Sequence, residues 1–103
     1  MIRQPVTIAV HAGIFESQPL VFAHLYDLSA GALALDEVEV ICKENPGPRL
    51  AHYFAPKTAA AITEALGLHT TVVLLFPEAM EGDLESSTML TPLGRFEGTR
   101  VKA

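Results

Sequence analysis

The sequence predicts one small α+β domain, and three observations predict it. The chain has 103 residues, too few to divide into halves that each bury a core. Runs that alternate or stay apolar, at 6–11, 36–44 and 71–76, read as strands. Two stretches, at 18–28 and 56–66, carry a proline in the first turn and space their apolar residues as helices do. The expected order is β-α-β-α-β-β, a small, mainly antiparallel or mixed sheet with two helices on one face.

Each element has its own justification. Val6, Ile8 and Val10 form the apolar face of the first strand, with Thr7, Ala9 and His11 on the other. Pro5 stands just before it, where a missing N–H does least harm. Ser17 is the expected N-cap of the first helix. Val21, Leu25 and Leu28 make one stripe of that helix, and Phe22 and Tyr26 lie one position round from it. So little polar surface remains that Phe22 and Tyr26 are candidate interface residues. Ser29, Ala30 and Gly31 end the helix.

Val38, Val40 and Cys42 alternate with Glu37, Glu39, Ile41 and Lys43, which predicts a half-exposed strand with an acidic outer face. Asn45-Pro46-Gly47-Pro48 is a turn, and Arg49 to Phe54 reads as an irregular approach or a short helical turn. In the second helix Ala59, Ile62 and Leu66 form the inward stripe. Gly67 followed by Leu68 matches a Schellman ending. The apolar run from Val72 to Phe76 predicts a central strand buried on both faces. Pro77 to Ser87 reads as an acidic loop. A strand begins near Thr88, is interrupted at Pro92 and resumes from Leu93 to Phe96, and residues 98–103 read as a frayed tail.

Composition narrows the function. The formal charge is −5 and the seven Lys and Arg residues are scattered, which argues against nucleic acid as a partner, because phosphate binding wants clustered cations. No apolar run approaches the ~20 residues of a membrane span, and no signal peptide is expected at MIRQPVTIAV. The single cysteine, Cys42, permits no internal disulfide, so a reducing, cytoplasmic setting is the expectation. Half the residues are hydrophobic and only 18% charged, below the ~25% charged of an ordinary domain. That surplus points to a covered surface, either a protein partner or a second copy in a homodimer.

Chemistry-bearing patterns are sparse. His11, His24, His52 and His69 are spread one per segment with no i, i+4 pair, so neither a metal site nor a cofactor is expected. His24 and Asp27 lie three apart on a helix, and with His52 they are the residues a small hydrolase or isomerase would use. Cys42 alternates with valines and reads as a small core residue rather than a nucleophile. The acids instead form two groups: Asp36, Glu37, Glu39 and Glu44, then Glu78, Glu81, Asp83 and Glu85. Brought to one edge they would attract a basic partner across about 8–10 Å of physiological salt. Apart from Glu44, these acids are the candidate partner-binding residues.

Three pieces of the chain resemble the immunity protein 22 family of bacterial polymorphic toxin systems. VHAGIFESQPLVFAHLY (Val10 to Tyr26) is similar to that family's strand, Gly-x-Phe-x-Ser turn and helix ending near a tyrosine. YFAPKTAAAITEALGLHTTVVLLFP (Tyr53 to Pro77) resembles its aromatic-led helix, Gly-Leu stop and apolar strand. LTPLGRFEG (Leu90 to Gly98) looks like its closing Leu-Gly-x-Phe turn. Thr71 stands where the family tends to place an asparagine. The resemblance implies a small cytoplasmic protein that binds and neutralises a cognate toxin, often a nuclease, stoichiometrically and without catalysis of its own. The other expectation, from composition, is a homo-oligomeric ligand-binding or regulatory module.

Overall fold

The computed structural model describes residues 2–80, 84 and 87–102. In chain order the elements are β1 (Ile2–Gly13), α1 (Gln18–Leu28), a 3-10 turn (Leu35–Glu37), β2 (Val38–Cys42), α2 (Gly47–Leu50), α3 (Pro56–Leu66), β3 (Thr71–Leu75) and β4 (Leu90–Lys102). The strands stand in the order β2-β3-β1-β4, every neighbouring pair antiparallel. This is the α+β class the sequence predicts, with α2 as the short helical turn before Phe54.

β3 is central and buried along its whole length. Val73 sits between His11 of β1 and Val40 of β2, and Leu75 between Ala9 and Val38. On one face Ile8, Val10, Ala12, Ile41, Val72 and Leu74 meet Ile62 and Leu66 of α3, together with Leu50 and Phe54. On the other, Val38, Val40, Val73 and Leu75 meet Val21 and Leu25 of α1, with Phe15 and Leu33. The helices therefore lie on opposite faces, not on one. The reason is physical: a strand apolar on both sides leaves half its surface in water unless each face has its own cover.

The second correction is at the termini. β1 begins at Ile2, and residues 98–102 are not a frayed tail but the last rungs of β4, with Gly98 opposite Val6 and Lys102 opposite Ile2. Beyond Ile8 and Phe96 these two strands form a ribbon with no third strand beside it among the described residues, and an isolated ribbon is marginal in water. It is held by the segment after α2. Thr99 N–H donates to the Tyr53 carbonyl at 2.7 Å, and the Arg3 guanidinium donates to the carbonyl of His52. Pro5 is tolerated inside β1 because its partner Thr99 directs its N–H outward to Tyr53, away from the ladder.

The same devices blunt β4 as an edge strand. Pro92 stands opposite His11, and the register slips between Val10 and His11, leaving Leu93 as the extra residue of a bulge before Gly94. Pro92 thus lies inside a continuous strand rather than interrupting it.

Gly67 also departs from expectation. Its φ of 56° and ψ of −119° are those of the first central residue of a type II′ turn, and His69 N–H closes the turn on the Leu66 carbonyl at 3.0 Å. Leu68 is 94% exposed, so the apolar contact of a Schellman ending is absent. A short turn suffices because β3 starts two residues after His69.

Two glycine substitutions test these contacts by different routes. Nothing lies within 4 Å of a Cβ placed at Gly67, so Gly67→Ala should cost about 1–2 kcal/mol purely from backbone strain, read by urea denaturation. A Cβ at Gly98 would sit 2.6 Å from the Tyr53 carbonyl oxygen. Gly98→Ala should therefore open the ribbon, seen as loss of amide-exchange protection at Thr99 while β3 stays protected.

Candidate functional site

Helix α1 lies across β2 and β3 on its face of the sheet. Among the described residues no helix covers β1 and β4 on that side. The odd-numbered residues of β1 point there, which puts Thr7, Ala9 and His11 on the floor of an open cleft of about 870 Å³, beside Arg95 of β4. The chain leaving β3 supplies a wall through Pro77, Ala79, Met80 and Leu84, and Leu90 closes one side. A mostly apolar concavity with a few polar groups, of roughly 300–1,000 Å³, is the usual form of a binding site.

The polar groups are set by specific partners. Thr7 Oγ1 donates to Glu97 Oε1 at 2.6 Å, which holds that carboxylate beside a lining residue although Glu97 does not itself line the cleft. Ser87, on the wall, lies 2.6 Å from His24 Nε2 through its hydroxyl, and that hydroxyl oxygen accepts the Met89 N–H at 3.1 Å. The His24 ring packs 5.7 Å from that of Phe15. His11 and Arg95 each have an interaction of their own.

The acids expected to form a patch divide. Glu37 pairs with Arg100, whose guanidinium also donates to the Asp36 carbonyl and lies 4.1 Å above the Phe76 ring centroid. Such a cation–π contact adds about 0.5–2 kcal/mol depending on desolvation. Glu39 pairs with Arg49 at 3.0 Å, and Arg49 bridges on to Glu44 at 3.0 Å. Burial works against the Arg49 charge, but Glu39 and Glu44 outweigh it and hold its pKa above the ordinary arginine value. The acidic outer face expected of β2 is therefore neutralised by arginines and half-buried, and it ties the sheet to α2 and the terminal ribbon. Asp36 and Glu78 have exposed side chains. Glu81, Asp83 and Glu85 lie outside the described residues.

Tyr53 belongs to the same network. Burial, then the charge of Glu39 and a hydrogen bond to it, push its phenol above the ordinary value of 10.0, and its ring meets Phe76 edge-on at 5.2 Å.

Phe22 is half-buried and packs on the core, whereas Tyr26 is 49% exposed and its ring closes on the turn at Gly31. His24 belongs to α1, and His52 to the segment that packs on the opposite face, so the two do not share a cleft. Asp27 is exposed and makes no hydrogen bond to His24 among the described residues. Cys42 is half-buried: its Sγ lies 3.7 Å from the Phe15 carbonyl and accepts from the Thr71 hydroxyl at 3.5 Å. Among the described residues no three His, Cys, Asp or Glu side chains converge as metal ligands, and no helix is long and apolar enough to cross a membrane.

Sequence reading missed Thr7, Arg95 and Glu97 as site residues. The signal present was the small and polar face Thr7-Ala9-His11 opposite Val6-Ile8-Val10, which marks a side of β1 that no helix needs to cover.

Comparison with protein-family models, with curated proteins and with solved structures finds no match for this chain.

Structural and available acids can be told apart by stability. Glu37→Gln, which removes the charge facing Arg100, should cost about 1.5–3 kcal/mol, whereas exposed Glu78→Gln should stay within about 0.5 kcal/mol, both read by urea denaturation. The Tyr53 shift gives a pH prediction. Its folded pKa lies above the unfolded one, so its contribution is complete below about pH 10 and is lost as pH rises through the folded pKa. Phenolate absorbance should show a late-titrating component that Tyr53→Phe removes.

Proposed function

We propose that this chain is a non-catalytic binding protein that neutralises a protein toxin by stoichiometric contact, acting in the cytoplasm. The observation that carries the reading is the cleft on the half of the sheet face that no helix covers among the described residues. Its shape suits a protruding part of another protein: apolar walls, a shallow floor at Ala9 and a polar rim.

The resemblance to the immunity protein 22 family supports the same reading. Its three pieces fall on the end of β1 with α1, on α3 with β3, and on β4 from Leu90 to Gly98. The strands among them are adjacent in the sheet. Pro77 at the end of the second piece, with Ala79, Met80 and Leu84 beyond it, walls the cleft. The net charge of −5 favours a basic partner such as a nuclease, whose phosphate-binding groove an acidic surface can occupy.

Co-expression with the toxin encoded beside its gene is the test. Restored growth and a one-to-one complex on size exclusion are expected. Toxicity unchanged by the chain, or a gene neighbourhood without a toxin, overturns the reading.

A further inference from the structure

The cleft carries a statement about the chemistry of its partner, and this deepens the binding reading. Of the charged groups at the cleft, Arg95 already has an interaction of its own. Glu97 makes no ion pair among the described residues. It is exposed, it stands opposite Thr7 across the β1–β4 ladder, and Thr7 Oγ1 is its one hydrogen-bond partner among the described residues. Thr7 thereby aims a full negative charge at the rim while leaving its second oxygen available. Next to Thr7 along the floor the surface turns apolar. Ala9 offers no side chain beyond a methyl, and Met80 and Leu84 rise beside it as half-buried walls. Methionine adapts its shape to whatever enters, which suits a surface that must close around an incoming group.

We propose that the cleft takes an aromatic or branched apolar side chain of a protein partner, with a neighbouring lysine or arginine of that partner on Glu97. The apolar group supplies the burial, and the cation pairs with the exposed Glu97 carboxylate. Burying an aromatic anchor in such a pocket is the usual source of affinity at an interface, and the charge pair sets on-rate and orientation. The net charge of −5 gives the same sign at long range.

The test uses the full chain and two short peptides, acetyl-Trp-Lys-amide and acetyl-Trp-Glu-amide, titrated against amide NMR signals. The lysine peptide should shift Thr7, Ala9, His11 and Glu97 saturably and bind at least threefold more tightly than the glutamate peptide. That gap should close in Glu97→Gln and in 1 M salt. Ala9→Phe should remove binding of both peptides with a dispersed spectrum retained, and if that variant does not fold, Met80→Asp serves in its place. Shifts confined to other residues, or no saturable shifts, overturn the proposal, and equal affinity for the two peptides overturns its cationic part. The outcome separates from the toxin reading: peptide binding without toxin rescue removes the toxin and keeps the cleft, and rescue without peptide binding does the reverse.

Discussion

A strand with an unbroken apolar run has to be covered twice, and β3 makes that demand of the whole chain. All five of its residues are buried, so it takes the interior of the sheet, with β1 and β2 on its edges and a helix on each face. Removing that much apolar surface from water, at about 25 cal/mol per Å², is the largest favourable contribution available to a chain of this size. The rest of the architecture follows from meeting it: α1 and α3 pack on opposite sides, and short turns such as that at Gly67 return the chain to the sheet.

The cover on the two faces is unequal, and the inequality makes the site. On the α3 face the terminal ribbon, Tyr53 and the Arg100 contact with Phe76 complete the layer. Among the described residues one eleven-residue helix lies over β2 and β3 on the α1 face, while Pro77, Ala79, Met80 and Leu84 border the cleft over β1 and β4. The exposed stretch of β1 carries Thr7, Ala9 and His11, small or polar groups that water tolerates. The proposed binding surface thus sits where the core demand has already been met.

Charge is distributed by the same logic. Glu39 of β2 and Glu37 just before it lie close to the core and would be costly there alone, so each has an arginine. Glu97 lies on an edge strand in contact with solvent and needs none. An acidic balance in the sequence therefore divides into carboxylates that hold the fold and carboxylates that face outward, and only the second kind can meet a partner.

What the sequence determined by itself was local. Alternation in 36–44 and the run of 72–76 fixed the strands, although Ile41, expected on the outer face of β2, is buried in the cluster with Ile62 and Leu66. The stripes of Ile62 with Leu66 and of Val21 with Leu25 fixed the inner faces of the helices. Periodicity records which side of an element is apolar. It does not record which side of the sheet that element will occupy, so helices on opposite faces had to be read from the fold. The paired termini, the arginine partners of Glu37 and Glu39, and the cleft between β1, β4 and the chain after β3 are relations between remote segments. Arg100 and Glu37 stand 63 residues apart, and no local pattern at either position announces the other. Tertiary structure decided those, because an ion pair or a cleft exists only when two surfaces meet.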